Sequence, residues 1–282
     1  MSSLYGTYKS AWPIDFSKRN MFNTSPSEEE MALLNDADAR RKKYGQQPML
    51  IRDRVFRAAH RIASDSVVDN VIFDNCNFVD HQMNGVTIEN VKFVACRFLR
   101  ATWDNGSISN ITMDECEFHG GDNEILASKT SGYSKFSRCK FIGFEDDGSK
   151  GSVIAPGDCD FIDCDFFLML INSVRKMGLI NCKLRKVDVM GISKSNLGEI
   201  SVGSCQGESI SLYSKFSSIS IEKSNISIIQ LGRTSSKSIR VADSRCELAL
   251  LGASTQQLTI SNTTLFSGAP TVNVKDGGGL TA

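Results

Sequence analysis

The chain has 282 residues, with 32 basic against 32 acidic side chains and 41% hydrophobic residues. That balance excludes the strongly basic character of proteins that hold nucleic acid through net charge, so direct nucleic-acid binding is not expected. No apolar run approaches the ~20 residues of a membrane helix, and the N-terminus lacks the charged-then-apolar layout of a secretory signal peptide.

Residues 1–24 carry Tyr5, Tyr8, Trp12, Phe16 and Phe22 without a period. They read as an extended arm that packs on a partner, or as a disordered leader. Ser25-Pro26-Ser27-Glu28 reads as a capping box with proline at the first helical position. Arg40, Arg41, Lys42 and Lys43 suit the negative end of a helix and Gly45 its stop, which predicts a helix over about 26–44. A second helix over about 48–63 is predicted because Ile51, Val55, Phe56, Ala59 and Ile62 fall on one helical face. Residues 25–66 are therefore expected to form a helical N-terminal cap whose apolar face closes the open first coil near Val71.

From Val71 the chain repeats. Val71-Ile-Phe73-Asp-Asn-Cys76-Asn-Phe78 returns as Val91-Lys-Phe93-Val-Ala-Cys96-Arg-Phe98, and again as Ile111-Thr-Met113-Asp-Glu-Cys116-Glu-Phe118. Written in fives, the third position is always large and apolar: Phe73, Phe78, Met83, Ile88, Phe93, Phe98, Trp103, Ile108, Met113, Phe118. The first position is mostly small or β-branched. A period of five fits neither an amphipathic helix nor simple strand alternation; it fits a chain that turns a corner every five residues. Four fives close one square coil. The phrase continues through Phe136, Phe161, Leu179, Val202, Ile221, Val241 and Ile260, with serine or threonine replacing cysteine in the last three recurrences. The expectation is an all-β solenoid of about ten coils over residues 67–267, about 45 Å long at one strand spacing per coil. Residues 268–282 are expected to be a flexible tail.

These pentads resemble the pentapeptide-repeat family over about Val68 to Leu265, strictly so over Val71–Phe118, in a Cys-x-Phe variant of the usual core. The resemblance implies a right-handed quadrilateral parallel β-helix. Aspartate and asparagine are scarce at the second pentad position, so the turns are expected to differ in detail from the family's usual ones.

Most of the nine cysteines occupy the inward small position, where they act as buried hydrophobes in a reduced, intracellular protein. Stacked thiols one layer apart could in principle pair. A cysteine metal ladder is the alternative, but paired CxxC spacing is missing, so no metal and no cofactor is expected. His60, His81 and His119 lie near no nucleophile motif, and no phosphate-cradling glycine loop appears. Carboxylates such as Asp114, Glu115, Glu117, Asp160, Asp163 and Asp165 read as a solvated outer face. Coils of about twenty residues leave little room for the groove of a carbohydrate-active β-helix. The chain is read as not an enzyme.

Charge is uneven along the chain. Residues 71–170 carry 8 basic and 16 acidic groups, whereas residues 171–282 carry 13 basic and 7 acidic. Such asymmetry favours an oriented encounter with a charged partner, or end-to-end contact between copies. Two insertions, 121–132 and 143–157, exceed what a coil needs and offer binding positions. The candidate partner-binding residues are thus Tyr5, Tyr8, Trp12 and Phe16 in the arm, Asn123, Glu124 and Ile125 in the first insertion, and Phe144, Glu145, Asp146 and Asp147 in the second.

The functional reading is a non-enzymatic protein-binding or structural scaffold, cytoplasmic or built into an assembly, with homo-oligomerisation through ends or arms. A bacterial effector translocated into a host cell is one version, since several pentapeptide-repeat proteins serve in that way. The alternative is a DNA mimic acting on type II topoisomerase (gyrase), as in the quinolone-resistance members that share the F-x-x-C-x-F phrase. The basic second half argues against that alternative.

Overall fold

Ser27, rather than Ser25, opens the helical cap in the computed structural model, which describes residues 24–119, 127–130, 132–143, 151–154, 158–191, 198–250, 253–265 and 273–281. Its hydroxyl accepts the Glu30 N–H at 3.1 Å, and the Glu30 carboxylate accepts the Ser27 N–H at 2.6 Å. The capping box is therefore real but sits two residues later than expected. Helix α1 spans Glu28–Asn35 and helix α2 spans Ala37–Tyr44. They are two helices because Asp36 takes an extended backbone and its carboxylate accepts the Ala39 N–H at 2.9 Å, which starts a new helix. Gly45, at φ 62°, ends α2.

Arg40 does not face solvent at the end of α2. It is buried, and its guanidinium donates to the carbonyls of Leu33 (2.6 Å), Val67 (2.7 Å) and Asp69 (3.1 Å) while pairing with the Asp69 carboxylate. One side chain thus satisfies the buried Leu33 carbonyl near the end of α1 and ties the cap to strand Val67–Asp69. Burial works against ionisation of Asp69, but the hydrogen bonds from Arg40 and Arg41 outweigh it and hold the carboxyl below its ordinary value.

The predicted second helix is not formed. Met49–Arg52 and Val55–Arg57 are strands, paired in parallel with Val71–Asp74 and Asn77–Val79. Met49, Ile51 and Phe56 point inward as Val71, Phe73 and Phe78 do in the next layer. The solenoid thus begins one coil earlier than the sequence phrase suggests, and the helical part of the cap ends at Tyr44.

Beyond it the chain is a right-handed parallel β-solenoid. The large residues predicted to stack do so in one unbroken register: Phe73, Phe93, Met113, Phe136, Phe161, Leu179, Val202, Ile221, Val241 and Ile260. Nine turns separate the first from the last of them. On the next face Phe56, Phe78, Phe98, Phe118, Phe141 and Phe166 form a stacked column with ring centroids 4.6–4.9 Å apart. Gly207 takes the corresponding place two layers beyond Phe166; a Cβ there would lie 1.9 Å from the Leu184 carbonyl oxygen.

The corners explain the period of five. Asp53, Asn75, Ala95, Glu115, Arg138, Asp163, Asn181, Ser204, Lys223, Asp243 and Asn262 all have φ between 46° and 56°. Each follows an inward large residue by two positions, so a left-handed residue turns the chain at this corner of every layer, and Asn70, Asp80, Asn90, Arg100 and Asn110 do the same at other corners of the first coils. Their N–H groups bond to carbonyls of the next layer, as from Asn75 to Val94 (2.9 Å) and from Ala95 to Asp114 (2.9 Å). In the first coils a fourth face forms its own sheet, from Val67–Asp69, Thr87–Glu89, Asp104–Ser109 and Ala127–Thr130. Later strands such as Asp165–Val174 and Gln206–Glu222 run through the corners without a break. Near the C-terminus, Asn273–Thr281 is a strand paired with Ser254–Ser261 rather than the flexible tail expected.

Candidate partner-binding surface

Every residue singled out from sequence as partner-binding (Tyr5, Tyr8, Trp12, Phe16, Asn123, Glu124, Ile125, Phe144, Glu145, Asp146 and Asp147) lies outside the described residues. What the structure does place is the roots of the two insertions. Strand Glu117–His119 and strand Lys140–Ile142 are direct neighbours, with Phe118 opposite Phe141 and His119 opposite Ile142. Both insertions therefore leave the same edge of adjoining layers. Part of each serves the coil itself: Ala127–Thr130 pairs with Asp104–Ile108, and Gly151–Ile154 pairs with Met169–Asn172.

The surface beside these roots is organised by lateral pairing. In-register parallel stacking puts equivalent positions of successive coils about 4.8 Å apart, so like charges in one column would repel. The column instead alternates: Arg97, Glu117, Lys140, Asp165, Lys183. Glu117 sits 3.2 Å from Arg97, 3.5 Å from Lys140 and 3.5 Å from the His119 ring. The His119 hydrogen bond, then Arg97 and Lys140, outweigh partial burial and hold its carboxyl down to about 2. Asp114 and Glu115 share Arg138, Asp80 pairs with Arg100, and Asp158 with Arg175. The carboxylates expected to be merely solvated are thus largely neutralised one layer away. In the second half Lys183, Lys215, Lys223 and Lys237 are exposed and have no ion pair among the described residues.

Two furrows follow this corner, one of about 370 Å³ and one of about 250 Å³, sharing Arg138 and Lys140. Their walls are mainly charged and amide side chains, several of them already paired with one another, with Cys139, Cys164 and Cys182 along the larger furrow. A third, of about 360 Å³, lies beside the cap between Arg41, Tyr44, Asp69 and Asn90.

Seven of the nine cysteines form a chemically quiet column, Cys76, Cys96, Cys116, Cys139, Cys164, Cys182 and Cys205, while Cys159 and Cys246 lie on other faces. All nine are free thiols and buried. Cys96 donates to the carbonyls of Phe73 (3.3 Å) and Val94 (3.4 Å), and Cys182 to those of Phe161 (3.3 Å) and Ile180 (3.4 Å). Burial pushes the Cys96, Cys116 and Cys139 thiols well up. For Cys182, hydrogen bonding to Cys164 leads the rise to about 12. Thiols held protonated are neither nucleophiles nor metal ligands, and no cluster able to hold a metal occurs among the described residues. Where sequence shows serine or threonine instead, the same bond persists: Ser224 to Glu222 O (2.9 Å), Ser244 to Ala242 O (2.7 Å), Thr263 to Ser261 O (2.9 Å). These positions are donors that tie a corner, a role beyond the spacer read from sequence.

No protein-family model matches the chain, and no curated protein matches it. Among the described residues, no helix is long and apolar enough to cross a membrane.

Proposed function

We propose that this chain is a non-enzymatic scaffold of the pentapeptide-repeat kind, a rigid β-helical rod that engages a protein partner or larger assembly through its first 24 residues and its two insertions. The observation that carries this reading is the adjacency of the insertion roots, His119 and Ile142, on one edge of a stack that is in register on both sides. A solenoid of this type suits presentation, because its stiffness fixes the spacing of whatever leaves it. The acidic Glu145, Asp146 and Asp147 and the aromatic Phe144 supply a charged and an apolar contact in one of those insertions.

The DNA-mimic reading is less well supported. Such a mimic needs a row of uncompensated negative charge, whereas Asp80, Asp114, Glu115, Glu117 and Asp158 pair with arginine or lysine of adjoining layers. Delivery as a bacterial effector is a version of the scaffold reading that turns on the source of the gene. The test is capture of a partner by full-length protein, by protein lacking residues 1–23, and by protein with 121–126 and 144–150 replaced by short glycine-serine linkers. Loss of capture at unchanged thermal stability supports the assignment; capture that survives both changes overturns it. Relief of quinolone inhibition of gyrase by micromolar protein would restore the alternative.

A further inference from the structure

Two of the three histidines meet at the N-terminal mouth of the solenoid. His81 is fully buried, its ring edge-on to Phe56 and Phe78 with centroids 5.6 Å away in both cases. Its Nε2 lies 2.8 Å from the His60 carbonyl oxygen, so in the neutral ring Nε2 carries the proton and donates. The buried Nδ1 then holds a bare lone pair and has no hydrogen-bond partner. His60 in turn accepts the Arg57 N–H on its own Nδ1 at 2.9 Å. The segment from Arg57 to Ser66 is thus pinned by two imidazoles. It also holds the cap: the Ala63 N–H donates to the Asn35 side chain at the end of α1, at 2.6 Å.

We infer that the Arg57–Ser66 segment is an acid-released latch, opened when a proton reaches Nδ1 of His81, which frees the first coil and the helical cap from the second coil. A proton on His81 Nδ1 places an imidazolium and an unpartnered N–H against two phenylalanine rings. Among the described residues, nothing adjacent offsets the new charge on His81. Phe56 and Phe78 present carbon, Thr102 of the third coil is neutral and donates its N–H to the His81 carbonyl at 3.0 Å, and His60 offers no negative charge. The carboxylate nearest along the chain, Asp80, is held by Arg100 at 2.6 and 3.0 Å.

Burial lowers the His81 pKa from 6.5 to about 4. The closed state is therefore the poorer proton acceptor. The latch is stable above pH 6.5, and opening becomes tenfold more favourable per pH unit on the way down to pH 4, about 300-fold in all. Opening bares Phe73, Phe78 and the edge of strand Val71–Asp74, a surface suited to pairing with another strand.

The experiment is hydrogen exchange by mass spectrometry on the full chain between pH 6.5 and 4, with rates corrected for the intrinsic pH dependence of exchange. Protection of residues 49–66 is expected to fall about 300-fold relative to residues 216–242, and His81→Leu is expected to abolish most of that fall. An unchanged ratio, or the same fall in His81→Leu, overturns the inference. If His81→Leu does not fold, the wild-type ring resonances decide by NMR: titration below pH 5 supports the latch and titration near 6.5 refutes it.

Discussion

Truncating one ring of the phenylalanine column, Phe118→Ala, tests how the solenoid is held together. Phe118 is 2% exposed and stacks on Phe98 at 4.7 Å and on Phe141 at 4.6 Å. Removing a buried phenylalanine costs about 3–5 kcal/mol. Two lost stacking pairs, each ~0.5–1.5 kcal/mol, place this site at the upper end, about 4–5 kcal/mol. In a solenoid each layer touches only its neighbours, so the loss falls on the two interfaces beside Phe118 and weakens coupling between the coils before and after it. Urea unfolding followed by fluorescence, which reports the buried Trp103 one coil away, and by circular dichroism, which reports the whole sheet, should give separated transitions. With a slope of ~3 kcal/mol/M the early transition moves down by about 1.5 M. One coincident transition shifted by less than ~0.3 M would refute the nearest-neighbour account.

Three further outcomes are expected. Cys116→Ser should cost less than Cys116→Ala, about 1 against 2 kcal/mol in thermal melts, because a hydroxyl can replace the thiol bond to the Asp114 carbonyl, as Ser224 does to Glu222; the reverse order would show that only volume matters. Ala95→Asn should stabilise by about 1 kcal/mol, since alanine is strained at φ 51° and asparagine tolerates that region; a lower melting temperature would contradict it. Glu117→Gln should cost about 2 kcal/mol at pH 7. Because the folded carboxyl is depressed from 4.5 to about 2, that cost should fade as pH drops through this window, and a difference still present at pH 2 would oppose the assignment.

The inward pentad residues were legible because a repeating core must present the same side chain to the same place. The left-handed corners were also written in the sequence, at the fifth position: Asn75, Asp80, Asn90 and Asn110 take positive φ there. Ala95, Arg100 and Glu115 hide that signal, since register rather than propensity holds them in the same conformation. The first coil was hidden for a related reason. Met49, Ile51 and Phe56 keep the spacing of Val71, Phe73 and Phe78, but Arg54 stands where cysteine marks the phrase, turned outward to Glu30 at 2.9 Å. With that marker gone, the apolar spacing also fitted a helix. Arg40 illustrates the limit on the charge side: four consecutive cations fit a helix end equally well, and only the packed strand Val67–Asp69 selects the one that turns inward. The alternation of charge along the Arg97 column was unreadable until register put those residues in line.

The scaffold reading is tested most directly by hydrogen-exchange footprinting of the full chain with and without a captured partner. Protection gained within residues 1–24, 121–132 and 143–157, with the stacked faces from Val71 to Ile260 unchanged, is the predicted result. Protection gained along the coil faces, with those three segments unaffected, would contradict it.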